Sequence, residues 1–400
     1  MDLYLQFGHG MMKLSQQLIQ SWGGGTVILS PRDLELRQMV RLQSVLSQYN
    51  GSVVLDPQFY IPRSDHQRLT AHAFWPDEYQ TNFFSRSQIE RMLRTLYFDY
   101  NELLGTDFFI LPSLRSSLID DDWYSYNSEI VDVAQSLSTG KALYATLCLS
   151  SGVLVSEDAI HQLIEYISTW DVAGFYLVPE PPSNSYLVDD PNWLLNLADL
   201  SAAIKLLNRQ VVVGYSNHQM LLLAACNVDA LASGTWLNVR SFSEARFRRA
   251  PDEISRRSKW YYCPQAMSEY QIPFLDLALR LGLIDDIKTL PYFGSSYADI
   301  LFSGAPPSST NYSESDSFKH YLHCFRHQAL TYVSESYHAT RDNLRLRLEA
   351  ARDLTGFNQA NGINGRDRDF SNVVDSTISA LLAFDRLLGL RIEHSWAEML

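Results

Sequence analysis

Short apolar runs alternate with longer stretches of helical spacing along the first part of the chain. The runs fall at residues 3–7, 26–29, 52–55, 107–111, 142–149, 174–178, 210–213 and 230–234. Between them, residues 37–48, 87–104, 158–169 and 193–207 repeat apolar positions at three- and four-residue intervals, the spacing that gives a helix one buried face. Strands alternating with helices predict βα units and a parallel sheet. Eight such runs fit a closed (β/α)8 TIM-type barrel, an α/β fold of about 250 residues. An open doubly wound sheet is the competing arrangement. However, the turn after the first run reads Gly8-His-Gly-Met-Met12 and lacks the Gly-x-Gly-x-x-Gly spacing of a phosphate cradle. Trp22-Gly-Gly-Gly25 leads into a strand and not into a helix, so it reads as a turn.

After residue 240 the pattern changes. Residues 272–283, 318–354 and 372–390 have helical spacing, 304–317 is a Ser/Pro-rich linker or surface loop, and 355–370 is a polar loop. The expected division is a catalytic barrel over 1–250 and a mostly helical domain over 251–400 that binds nucleic acid or supports the barrel. The stretch between them is the most basic in the chain, with Arg240, Arg246, Arg248, Arg249, Arg256, Arg257 and Lys259 close together.

The formal net charge of -13 argues against a protein that coats nucleic acid non-specifically, because that binding rests on Lys and Arg. A local basic groove on an acidic body remains compatible with it. Cys148, Cys226, Cys263 and Cys324 are widely spaced, form no Cys-x-x-Cys pair and read as buried reduced thiols. The N-terminus lacks the basic start and apolar core of a signal peptide, and no apolar run is long enough to cross a bilayer. The expectation is a cytoplasmic protein with no membrane partner.

In a barrel of this kind, residues just past each strand converge on one mouth. The run Gly51-Ser-Val-Val-Leu-Asp-Pro-Gln-Phe-Tyr60 is a β-branched strand ending on an aspartate, which makes Asp56 the first candidate for chemistry. Glu180 ends a later strand. Two carboxylates across a pocket suit cleavage through an oxocarbenium-like transition state, one opposing positive charge and the other handling a proton or water. His9, Arg32, Gln58, Tyr60, Asn217 and His218 stand at other strand ends as candidate base- or substrate-binding groups, and Tyr176, within the run 174–178, is a candidate to stack on a base. Either histidine also reads as a plain pocket wall, and Tyr60, Tyr176 and Trp236 as core. His323 and His327 are one helical turn apart, but no second paired ligand spacing accompanies them, so no metal and no cofactor is expected. The basic stretch reads either as a solvated face or as a grip on phosphates flanking the mouth, with Phe242, Phe247, Trp260, Tyr261 and Tyr262 as stacking surfaces.

Several strand ends together resemble the tRNA-guanine transglycosylase superfamily, barrel enzymes that cleave the glycosidic bond of a nucleotide in a nucleic acid. Val27-Ile-Leu-Ser-Pro-Arg-Asp-Leu34 is similar to the family's second strand and turn in its hydrophobic frame. Leu55-Asp-Pro-Gln-Phe-Tyr60 resembles Thr-Asp-Ser-Gly-Gly-Phe, whose essential aspartate maps to Asp56. Gly174-Phe-Tyr-Leu-Val-Pro-Glu180 falls where the family has its Gly-Gly-Leu base-contacting strand. The segment from Val212-Val-Gly214 through Val228-Asp-Ala-Leu-Ala-Ser-Gly234 to Arg240 is similar to the series Met-Gly-Val-Gly, Val-Asp-Met-Phe-Asp-Cys and Pro-Thr-Arg. The family's covalent nucleophile falls on Ala232, beside Ser233, and its Cys-x-Cys-x-x-Cys zinc site is missing.

The resemblance implies a DNA-acting branch, which includes enzymes that insert 7-deazaguanine and antiphage glycosylases that excise glucosylated hydroxymethylcytosine. Without a covalent nucleophile, hydrolysis is expected over base exchange. The resulting expectation is a DNA glycosylase that flips a modified base of phage DNA into the barrel mouth. Asp56 would be the principal carboxylate, Glu180 its helper, and the arginines and Lys259 the phosphate contacts. The alternatives are a base-exchanging enzyme, a nucleic-acid-binding subunit without chemistry, and a hydrolase of small glycosides.

Overall fold

The computed structural model describes residues 1–76, 84–137, 140–248 and 258–399. All eight expected runs form strands, which with one additional short strand are β1 (Asp2–Gln6), β2 (Gly25–Leu29), β3 (Gly51–Leu55), β4 (Phe109–Ile110), β5 (Arg115–Ser116), β6 (Leu143–Leu149), β7 (Gly174–Pro179), β8 (Gln210–Val213) and β9 (Ala230–Ser233). Every pairing among them is parallel, in the order β3-β2-β1-β9-β8-β7-β6-β4, with β5 also on β6. Strands β4 and β5 run along the same neighbour, so they act as one barrel strand interrupted around Pro112, which has no N–H to give a ladder. The free edges of the sheet meet where the Asp107 N–H donates to the Val53 carbonyl at 3.2 Å. The result is a nearly closed (β/α)8 barrel.

Among the described residues, the longer α-helices that follow the early strands are α1 (Met11–Trp22), α2 (Leu36–Leu46), α3 (Arg86–Arg94), α4 (Asp121–Ser136), α5 (Glu157–Ile167) and α6 (Pro191–Leu206). Their starts are written locally. Asp190 accepts from the N–H groups of Asn192 and Trp193, and Pro191 fills the first turn, where no intrahelical partner for an N–H is lost.

The last two units depart from the simple repeat. After β8 the chain makes tight turns over His218–Cys226, a stretch buried throughout. An element apolar on all sides needs cover on all sides. Helices from the C-terminal region provide it. After the hairpin β10 (Trp260–Cys263) and β11 (Ser268–Gln271) come α7 (Ile272–Leu281), α8 (Glu314–Tyr332), α9 (Tyr337–Ala360) and α10 (Val374–Met399). Helices α9 and α10 pack on the 218–226 turns, and α10 also lies along α6. The Asn227 side chain donates to the Met399 carbonyl at 2.8 Å. Helix α8 packs against β1 and α1, filling the outer position where a helix following β9 would lie.

One continuous hydrophobic core therefore runs from the barrel into α8, α9 and α10, while a smaller one is enclosed by the hairpin, α7 and Ile363. Arg240, just past β9, is tied to this region. Its guanidinium lies 3.1 Å from Glu269 and 3.5 Å above the Tyr321 ring, and Arg368 approaches the same Glu269 oxygen at 2.9 Å. Among the described residues no helix is long and apolar enough to cross a membrane.

Candidate active site

Strand pleating sends alternate residues into the barrel. The β7 residue Tyr176 is fully buried inside it, and this depends on a glycine. A Cβ on Gly214 would lie 2.4 Å from the Tyr176 hydroxyl oxygen, so only glycine lets the ring cross the interior at that level. Its single hydroxyl proton is then shared between Gln6 Oε1 at 3.1 Å and Asp56 Oδ2 at 3.3 Å.

Asp56 stands just beyond the C-terminal end of β3 and has no solvent exposure. Its Oδ1 accepts from the Gln58 N–H at 2.9 Å, and the Tyr60 hydroxyl lies 2.8 Å from both carboxylate oxygens. Tyr215 adds a hydroxyl 3.1 Å from Oδ2. Three phenols and a backbone amide thus surround one carboxylate. Burial pushes its pKa up to about 6 from the ordinary 3.8, with the hydrogen bonds from Tyr60, Gln58, Tyr215 and Tyr176 acting in the opposite direction. Burial first, and the charge of Asp56 second, keep the three phenols well above their usual range. They remain donors at any ordinary pH.

Two residues touching Asp56 adopt left-handed backbone conformations, Gln58 at φ 54° and Tyr215 at φ 51°. Non-glycine residues adopt this conformation at a cost, held by surrounding contacts. For Gln58 those contacts are explicit. Its side-chain oxygen accepts from Ser30 and from the Arg32 N–H, both at 3.0 Å, and its amide donates to the Tyr215 hydroxyl at 3.1 Å.

The chain beyond β9 folds across this group. Phe242 and Phe247 stack on each other with centroids 5.6 Å apart and meet Tyr60 edge-on at 5.3 and 5.1 Å. Phe242 also meets Tyr215 at 5.5 Å. Arg246 anchors the crossing through Asp33 at 2.6 Å, and the Arg32 Nε–H donates to the Arg246 carbonyl at 2.8 Å. The Ser64 hydroxyl donates to the Phe247 carbonyl. The mouth is closed, and Asp56 lies beneath an aromatic plug.

Glu180 lies at the end of β7, buried, and is gripped by Arg115, whose Nε is 3.1 Å away. It also accepts from the Ser151 N–H at 3.3 Å. Glu180 and Asp56 share no hydrogen-bond partner among these contacts. Cys148 of β6 lies within reach of both charges: burial pushes its thiol up, Arg115 pulls it down, and the two carboxylates add to the rise.

The structure thus gathers Asp56, Gln58, Tyr60 and Tyr176 into one network and places Arg32 at its rim. It does not bring the other candidates there. His9 is exposed on the turn after β1. Asn217 caps the 218–226 turns through the Gln219 N–H and donates to the Tyr186 carbonyl. His218 is enclosed by Tyr186, Tyr262, Tyr321 and Phe370, where burial pushes its pKa down to about 4.

The basic stretch requires the largest correction. Arg240 and Arg246 are buried, paired with Glu269 and Asp33 respectively, so neither is available to a phosphate as expected from the sequence. Arg248 is exposed and paired with Glu244. Lys259 is exposed and donates to the Tyr312 carbonyl at 2.7 Å, bordering a 330 Å³ cavity beside α7. Arg249, Arg256 and Arg257 lie outside the described residues.

Tyr215 is the group that sequence reasoning missed. It directly follows Gly214 at the end of β8, so its strand-end position was the available signal. Among the described residues, no three His, Cys, Asp or Glu side chains converge into a group that could hold a metal.

By its own strand order the chain is a (β/α)8 barrel protein with a buried carboxylate at the mouth. No family model and no curated protein matches it. Among solved structures, a thermostable mutant of a xylanase from Cellvibrio japonicus is 9% identical over 59% of this chain and 88% of that chain, with a TM-score of 0.34. Nothing about substrate passes from that enzyme to this chain.

Proposed function

We propose that this protein hydrolyses a glycosidic bond at the barrel mouth, and that the bond joins a modified base, such as glucosylated hydroxymethylcytosine, to deoxyribose in phage DNA. The observation that carries the reading is the Asp56 site: a carboxylate at a strand's C-terminal end, held by three phenols, with its pKa raised to about 6. As the base departs with the bonding electron pair, the sugar gains oxocarbenium character. An ionised Asp56 in a water-poor pocket opposes that charge far more strongly than it would in water. Water then adds to the sugar carbon and gives up a proton, while the departing base gains one. The raised pKa suits Asp56 to carry such a proton near neutral pH.

Glu180 acts as helper through Arg115, whose guanidinium it holds beside the mouth. Ala232 occupies the place of the covalent nucleophile in the resembling family. Its methyl group cannot form a covalent sugar intermediate, which favours water over an incoming base as acceptor.

A second reading is favoured by the complete burial of Asp56: the network is a structural lock in a nucleic-acid-binding barrel without chemistry. Incubation with plain DNA, glucosylated phage DNA and tRNA, followed by mass spectrometry of free bases and abasic sites, separates the two. Abasic sites confined to the modified DNA support hydrolysis. Absence of release from all three polymers rejects it.

A further inference from the structure

The plug ends on a cluster of four charged side chains that is separate from Asp56. Arg115 stands between two carboxylates, Glu180 on one side and Glu244 on the other, with Glu244 Oε2 3.5 Å from Arg115 Nε. The second Glu244 oxygen is bonded by Arg248. Glu180 belongs to the barrel wall: it is 10% exposed and also held by the Ser151 N–H. Glu244 belongs to the plug. It opens the single turn Glu244–Phe247, which carries Arg246 and Phe247, and it is 23% exposed, beside an Arg248 that is 60% exposed.

A carboxylate whose two oxygens face two guanidiniums at a partly open rim presents the same pattern as a phosphodiester, two acceptor oxygens sharing one negative charge. Charge balance is preserved by such an exchange. Arg115 and Arg248 now face Glu180 and Glu244. With Glu244 replaced they would face Glu180 and one phosphodiester.

We propose that Arg115 and Arg248 form an anion site for a substrate phosphodiester, that Glu244 occupies this site in the closed state, and that phosphate displaces Glu244 and frees segment 241–248 from the mouth. The proposal rests on the reading above only for the nature of the ligand. Loss of the Glu244 contact loosens the turn that carries Phe247; withdrawal of its ring further requires the Phe247 carbonyl to leave the Ser64 hydroxyl, while Arg246, held by Asp33 and by Arg32, acts as the tether. Withdrawal of Phe242 and Phe247 uncovers Tyr60 and Tyr215, whose rings then wall a slot for a planar base above Asp56.

The test measures binding and opening, not catalysis. Fluorescence anisotropy with a short labelled single-stranded oligodeoxynucleotide of unmodified sequence, at low salt, is compared for the wild type, Glu244→Gln and Arg248→Gln. Removing the internal competitor is expected to tighten binding about tenfold, and removing the exposed Arg248 to weaken it about fivefold. Hydrogen exchange of residues 241–248 in the ligand-free Glu244→Gln protein is expected to be several-fold faster than in the wild type. Unchanged or weaker binding by Glu244→Gln, or unchanged exchange, overturns the proposal. Because base release is not the readout, the anion site stands or falls separately from hydrolysis.

Discussion

The Tyr60 hydroxyl lies 2.8 Å from each oxygen of Asp56, four residues back along the chain. One O–H cannot point fully at two acceptors, so its proton is shared along the carboxylate edge. Tyr215 and Tyr176 then serve Oδ2 alone, and the Gln58 N–H serves Oδ1. The carboxylate is held rigidly and out of reach of bulk solvent, the condition under which its charge acts most strongly on a neighbour.

The Asp56 pKa is raised from 3.8 to about 6, so folding favours its protonated form. That contribution is fully present below the unfolded value and is lost as pH rises through about 6. The difference corresponds to about 3 kcal/mol. Asp56→Asn lacks this group, so at pH 8 it melts no lower than the wild type, and its Tm falls less between pH 4 and 7. Calorimetry at several pH values checks this, and coincident profiles for the two proteins would contradict it.

Glu269 behaves oppositely. Burial pushes its carboxyl up, but Arg368 and Arg240 more than reverse this and hold it down to about 2. Its stabilisation is present above the ordinary value of 4.5 and is lost as pH falls through about 2. Glu269→Gln leaves Arg240 buried without its counter-charge, at a cost of roughly 3–5 kcal/mol. Urea denaturation near pH 7 is the check, and an unchanged midpoint rules this account out.

Gly214→Ala tests the interior packing. The new methyl would lie 2.4 Å from the Tyr176 hydroxyl, which then loses Asp56 and Gln6. Overpacking of this kind costs roughly 1–3 kcal/mol. A denaturation midpoint equal to the wild type's would show that the barrel interior yields at this level.

The barrel was legible because each parallel strand is a compact apolar run bounded by turn residues, a purely local signal. Asp56, Gln58 and Tyr60 were legible because strand ends share one mouth, whereas Tyr176, in the middle of β7, was legible only as one aromatic among many. The plug was not. Arg240 and Arg246 read as surface cations until Glu269 and Asp33 are brought to them from distant parts of the chain, and spacing alone cannot reveal such partners. The same holds for Phe242 and Phe247, whose alternation with arginines suggests a stacking surface, yet whose rings close on Tyr60 and Tyr215. The 218–226 turns follow the same rule. Their apolar run needs cover that α9 and α10 supply from the far end of the chain.

If Asp56 acts in its ionised form, base release rises with pH and reaches half its maximum near the pKa of about 6. Initial rates of release across pH 4.5–8 measure this. A rate that falls through the same range would instead assign Asp56 as the proton donor.

The most direct test of the central claim is base release from glucosylated phage DNA by the wild type and by Asp56→Asn, with calorimetry confirming that the variant is folded. The account predicts free modified base and abasic sites with the wild type and neither with Asp56→Asn. Release by the folded variant at the wild-type rate, or no release by the wild type, would contradict it.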